Sequence, residues 1–462
     1  MKRSLWSFAH DAGGQAIVLI AITFLATTMI VGLAIDAGQL FVARRTAQEA
    51  ADAAAYAGAV VHYQRTLSGS TVDTALANAA AVTDAARNGF VNGVNDVTLT
   101  VNTPPTSGPW SGNIRYVEVI ITEQVRTAIV PGGSLTTIRV RGVAGSEPLN
   151  NQFAIMSLDR SATACPAFRA GANANISLTG GGILVNSTCT GGSAAAQSLV
   201  SPTTDFQIQA PYSVQVAGTT TGTWPPTFPV NTSQPQEPDP FAGMPKPSTA
   251  GVPIYNSLPS GSARTLNPGI YNVRIDNAGN PNYTLNPGIY ILKQGVNLGG
   301  QANIVSAGME PSIPPPNGPQ ASTCSAFCGV FLFNTHTNYP GAFRQGIDSC
   351  GTVNLQGNAW VELGPMTQGL TAAPDDIGDV YNNFLFYQDS VCTVPMTIGG
   401  NGVFRASGTV YLPNATFTFD GQNATLTGSQ LVAKIVDLQE GNITIDFQSG
   451  NTAQPILPRL AE

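Results

Sequence analysis

Residues 16–35 carry no charged side chain, with Asp11 the nearest charge before that run and Asp36 directly after it. At 1.5 Å per helical residue the run spans roughly 30 Å, the thickness of a bilayer's hydrocarbon core, which predicts a transmembrane helix. Past it, residues 36–64 contain no proline, and apolar side chains return in a heptad-like stripe at Leu33, Leu40, Ala47, Ala54 and Val61. The helix is therefore expected to continue beyond the membrane. Arg44, Gln48 and Asp52 fall one turn apart off that stripe, and Arg45 precedes Glu49 by one turn, so compatible polar groups meet along the helix.

The pattern then shortens. Residues 72–88 read as a second helix, closed by Gly89 where a helix C-terminus favours glycine. Three alternating runs follow, at 97–101, 116–122 and 137–143, and predict an antiparallel sheet with one buried face. Helix and sheet together make a pilin-like α/β module over residues 36–148. From 149 to 450 helical periodicity gives way to short apolar runs between Gly and Asn, such as 175–178, 183–186, 330–333, 360–363, 416–419 and 443–447. The octets LNPGIYNV at 266–273 and LNPGIYIL at 285–292 repeat at the length of one coil. The fold class expected is mainly β with an N-terminal α part. It comprises a transmembrane helix, the α/β module and a right-handed parallel β-helix, with a β-sandwich or jelly roll as the alternative. Residues 224–253 and 309–320 are too rich in proline for a sheet, and read as a hinge, a partner's ligand or a surface insertion. Residues 1–15 form a short N-terminal stub and 451–462 a tail.

Composition changes this picture in two ways. Only 10% of residues are charged, against about 25% in an ordinary soluble domain, and the net charge is −7. A net charge of −7 gives no basic patch to neutralise phosphates, so nucleic-acid binding is set aside. All six cysteines, Cys165, Cys189, Cys324, Cys328, Cys350 and Cys392, lie far beyond the span. They suit disulfides in an oxidising compartment, with Cys165 and Cys189 the nearest pair in their region. A metal site of Cys324 and Cys328 with Cys350 or His336, or free thiols, are the alternatives. Basic residues flank the span equally, with Lys2 and Arg3 before it and Arg44 and Arg45 after it. The cysteines and the short stub then argue for a cytoplasmic N-terminus and an exported body. A signal peptide cleaved near Gly32 and Ala34 is the alternative to a retained anchor.

Candidate chemistry is sparse. The dense carboxylates are Asp375, Asp376 and Asp379. A polysaccharide-acting enzyme would bring them together with Arg344 or Arg405, whereas a solvated turn explains the same spacing, and they are weak metal candidates. His10, His62 and His336 adjoin no nucleophile motif, and Gly180 to Gly182 precede a strand rather than a helix. Trp110, Trp224, Trp360, Tyr339, Tyr381 and Tyr387 are available either to stack on a glycan or to fill the core. No catalytic residue and no cofactor is expected.

The run from Gly13 through AIDAGQLFVARRTAQEAADAAAYAGA, with Gly14, Asp36, Gly38, Gln48, Asp52 and the alanines at 53–55 at fixed offsets, resembles the N-terminal segment of TadG-like proteins of the bacterial Flp (Tad) pilus assembly system. Related pseudopilins carry a glutamate five residues after their cleaved glycine. Here Leu19 or Val18 stands at that place, so processing and polymerisation through such a glutamate are not expected. The resemblance implies a single-pass protein of the bacterial inner membrane with a periplasmic or extracellular body. Its implied partners are the membrane, other Tad pilus assembly proteins and a cell surface or glycan, and its work is structural. A surface adhesin and a membrane-anchored polysaccharide-acting enzyme are the other readings.

Overall fold

The computed structural model describes residues 8–67, 74–113, 116–127, 135–148, 152–163, 165–189, 191–307, 327–368, 381–447, 452–453 and 456–461. They form two compact units. The first is built on one helix, α1 (Phe8–Leu67), unbroken over 60 residues. With no proline inside and alanine dominating its second half, nothing interrupts the i→i−4 ladder. A second helix, α2 (Thr74–Arg87), ends where Gly89 takes a φ of +93° and the Phe90 amide reaches back to the Ala85 carbonyl at 2.9 Å.

Strands β1 (Thr98–Asn102), β2 (Tyr116–Arg126) and β3 (Leu135–Pro148) pair antiparallel in sequence order, as their alternation predicts. Residues 451–462, expected as a tail, include a strand, Ile456–Leu460, that pairs antiparallel with β3 and completes a four-stranded sheet. The core of this unit is a layer of Ala47, Ala51, Ala54 and Ala55 on α1 against Val117, Val119, Ile121 and Val140 on the sheet. Small side chains on the helix let the two backbones approach. A Cβ on Gly142 would lie 2.6 Å from the Ala51 carbonyl carbon, and one on Gly58 would lie 3.0 Å from Val117.

Among the described residues the second unit is built on a 24-stranded sheet whose every pairing is parallel, with Phe327–Cys328 and Thr367–Gln368 forming a separate antiparallel pair. An antiparallel sandwich or jelly roll has no such ladder. Strands pair in parallel with others further along the chain. Ala263–Leu266 lies on Asn282–Leu285, which lies on Asn303–Ser306, then Trp360–Leu363, then Val403–Ala406. Two further columns run beside this one, through Ile275–Asp276 and Gly295–Leu298, and through Gly269–Tyr271 and Gly288–Leu292. Leu266, Leu285, Val296, Leu298, Phe404 and Phe417 point between the columns into one continuous apolar core. In the LNPGIY repeat Leu266 pairs with Leu285, while Tyr271 pairs with Leu292, so its second half is two residues out of step. Asparagines stack outside the core. Asn303 donates to Asn282 at 2.8 Å, Asn286 to Asn267 at 2.7 Å and Asn354 to Asn297 at 3.1 Å. Polar amides thus bond along the ladder instead of projecting isolated into water.

The order of the stack is not the order of the chain. Phe153–Ser157 pairs with the C-terminal strand Gln430–Asp446 on one side and with Gly182–Val185 on the other. The strands of residues 254–447 therefore come first along the ladder, and those of 152–231 continue beyond them. The column from Ile254–Tyr255 through Phe153–Ser157 to Val230–Asn231 has ten steps, roughly 48 Å at about 4.8 Å per step. Residues 232–253 must carry the chain back over that length. In extended form, at about 3.1 Å per residue, they have enough reach.

Candidate functional site

In the first unit the sequence-marked positions of α1 occupy different surroundings. Gly14 lies in the first turns of the helix. Asp36 is 1% exposed, while a Cβ on Gly38 would meet nothing within 4 Å. Gln48 faces the sheet. Its Nε2 donates to the Arg141 carbonyl of β3 at 2.8 Å and to Asp52 Oδ1 at 2.8 Å, which ties the two motif residues to the strand. Burial pushes the Asp52 carboxyl above its ordinary range, partly offset by the Gln48 hydrogen bond. Arg45 and Glu49 pair at 3.0 Å on the exposed side.

Behind this contact lies a group that alternation alone did not mark. Glu118, on β2, is fully buried and accepts hydrogen bonds from Arg141 Nε at 2.6 Å, Asn102 Nδ2 at 2.7 Å and Thr106 Oγ1 at 2.9 Å. Burial alone would raise its pKa, yet these donors outweigh it and hold the carboxylate at about 2. Arg141 also donates to the Ser107 carbonyl, so one residue of β3 holds the loop before β2 by its side chain and α1 by its backbone. The available signal was a glutamate in an apolar strand, YVEVIIT, which must find a partner once buried.

In the second unit the chain's return segment is the most elaborated surface. Proline keeps it out of any ladder, and side chains from successive coils pin it in turn. Asn186 exchanges two hydrogen bonds with the Glu237 backbone, at 2.8 and 2.9 Å. Tyr411 donates to Asp239 at 2.7 Å, Tyr381 to the Pro245 carbonyl at 3.1 Å, and Tyr339 to that of Pro247. Lys246 pairs at 2.6 Å with the buried Asp389, which also accepts from Thr335 at 2.8 Å. Beneath these contacts Phe241 packs edge-on against Phe384 at 4.8 Å and Tyr411 at 5.2 Å. The segment thus covers a second apolar cluster that includes Phe331, Phe333 and Tyr387.

Tyr339, Tyr381 and Tyr387, candidates for an exposed stacking platform, are buried in this cluster. Trp224 and Phe228 pack on Phe206 at one end of the stack. Trp360, half-buried, lies beneath the Arg405 guanidinium, 5.1 Å from its ring centroid, and donates to Glu362 at 3.2 Å. Arg344 is taken by Asp348 at 2.9 Å. Asp375, Asp376 and Asp379 lie outside the described residues, as does Cys324. Cys328 falls in the short strand Phe327–Cys328. Cys165 is bonded to Cys189 and Cys350 to Cys392. Among the described residues no three His, Cys, Asp or Glu side chains gather as a metal site. A void of about 30 Å³ among Val296, Ile304, Leu332, Phe386 and Phe404 is a gap in the body's own core.

Residues 14–61 match the Tad family of Flp pilus-assembly TadE/G-like proteins. No curated protein matches the chain, and no solved structure does. The matched stretch is the part of α1 that holds the apolar span, Gln48 and Asp52.

Proposed function

Starting from an N-terminal segment of the TadE/G-like Flp pilus-assembly family, we propose that this chain is a membrane-anchored structural component of the Tad pilus assembly apparatus. The observation that carries the reading is the family match over the same helix that is exposed and apolar at its start and packed on a sheet at its end. A span in this helix has the length and hydropathy to cross a bilayer. The stub of residues 1–15 would be cytoplasmic and the body periplasmic or extracellular. Supporting that side are two disulfides in the body, which form in oxidising compartments.

The body reads as a right-handed parallel β-helix. What supports this is the parallel pairing of each strand with its equivalent one circuit later, and the hand follows the rule for parallel crossovers. Such a rod, sparse in charge and laddered with amide side chains, suits contact with other assembly proteins or an outer surface. Deleting the gene in its native bacterium and scoring pili by electron microscopy tests the assignment. Loss of pili is the expected result. Normal pili with lost attachment would move the function to a surface adhesin, and unchanged pili and attachment would refute a role in either.

A further inference from the structure

The exposed apolar surface of α1 does not stop where the uncharged run stops. Leu33 and Ile35 are exposed, and so, beyond Asp36, are Phe41 at 69% and Val42 at 62%. Asp36 itself is turned inward, engaged within the protein and 1% exposed, as an ionisable group beside a hydrocarbon phase must be. From Ile17 to Val42 this largely apolar flank, interrupted by the exposed Gln39, is about 39 Å long at 1.5 Å per residue, against about 30 Å of hydrocarbon. A tilt of roughly 40° reconciles the two, at the upper end of what single helices adopt.

A second element ends at the same level. Gly58 sits beside Val117 and Gly142 beside Ala51, so the β2–β3 pair runs along α1 toward its N-terminus, where Leu40 and Ala43 join Val125 at the edge of the core. The last rung of that pair is Arg126 with Leu135, and Leu135 is exposed at 44%. Arg44 and Arg45 on the helix and Arg126 and Arg139 on the strands are exposed there. Arg45 pairs with Glu49, and the nearby Glu123 carboxyl is pushed upward by burial. An apolar edge with an arginine collar above it is the charge pattern of a protein resting on anionic headgroups.

We propose that the α/β module is seated directly on the bilayer. In this arrangement Leu33 to Val42 lie in the hydrocarbon and interfacial zone, and Arg44, Arg45, Arg126 and Arg139 contact anionic lipid headgroups. This rests on the reading of α1 as a membrane anchor. It makes the helix a short, tilted tether instead of a stalk that lifts the module away from the lipid.

The test uses the full chain in vesicles, with a nitroxide on a noncanonical side chain placed at Leu25, Phe41, Val42, Tyr56 or Gln124, leaving the native cysteines alone. Collisions with oxygen report lipid, and collisions with a nickel chelate report water. Phe41 and Val42 are expected to follow Leu25 in favouring oxygen, while Tyr56 favours the chelate. Adding an anionic phospholipid to zwitterionic vesicles should lower chelate access at Gln124. That fall should vanish in high salt and in an Arg126→Gln/Arg139→Gln variant. Water at Phe41 and Val42 with Leu25 shielded would overturn the seat and leave the anchor standing. Water at Leu25 would overturn the anchor and the seat together. Shielding of Phe41 from both reagents would show a protein neighbour in place of lipid, and no response at Gln124 to lipid charge would overturn the headgroup contact.

Discussion

The carboxylate of Glu118 makes the first unit sensitive to acid. Its folded value, about 2, lies below the ordinary 4.5, so the stability it contributes is complete above about pH 4.5 and is lost as the pH falls toward 2. A displacement of that size corresponds to about 3 kcal/mol. Hydrogen exchange of the β2 and β3 amides should accelerate across that window, and Glu118→Gln should flatten the dependence while destabilising the unit at neutral pH. At Gln48, replacement by alanine removes the donor to the Arg141 carbonyl and should cost about 1–2 kcal/mol in thermal unfolding. Gly142→Ala should cost more, because its Cβ would meet the backbone of Ala51 at 2.6 Å and nothing there can yield cheaply. Gln48 and Asp52 were marked in the sequence by their spacing on a helix. Their partner on β3 was not, because a contact between residues 48 and 141 leaves no trace in local periodicity.

At the level of elements, α1 shows how far one pattern reaches. Charge-free length predicts a span and the alanine stripe predicts continuation, and both lie in one helix of 60 residues. The proline-rich segment shows the opposite. Its composition excludes a sheet, but a hinge, a ligand and an insertion all share that composition. Its place depends on Phe241 finding Phe384 and Tyr411, which are distant in sequence. Truncating that ring, Phe241→Ala, should cost about 3 kcal/mol and open residues 232–253 to protease before any other part of the body is cut. Chain entropy makes a similar prediction for Cys350 and Cys392, which close a loop of 42 residues. Replacing both by alanine should lower stability by about 3–4 kcal/mol, read as an earlier unfolding transition in urea.

For the whole molecule, the testable consequence is that chain order and stack order differ. Phe447 donates to the Thr179 carbonyl at 2.9 Å at the end of one coil, and the coil that follows in space begins at Phe153. A permuted body, with residues 254–447 joined by a short loop to 152–231, would follow the stack directly. It should regain the same circular dichroism without residues 232–253, while binding a hydrophobic dye through the uncovered aromatic cluster. Failure of the permutant to fold, with the parent body folding under the same conditions, would show that the return segment is required to form the stack and does not only cover it.

The sequence by itself determined the elements that local physics controls. A charge-free run predicts a helix long enough to span a bilayer, alternation on three runs gives an antiparallel sheet, and short apolar runs between Gly and Asn give many brief strands. It also determined how sparsely charged the chain is, at 10% of its residues. Only the tertiary structure decided where Glu118 finds its donors, that Ile456–Leu460 completes the first sheet, and that residues 430–446 lie on 153–179. The physical reason is that parallel rungs are interchangeable in local pattern. Any rung presents the same apolar face and the same backbone groups to the next, so which strand lies on which is a property of the whole stack and leaves no mark in the local pattern.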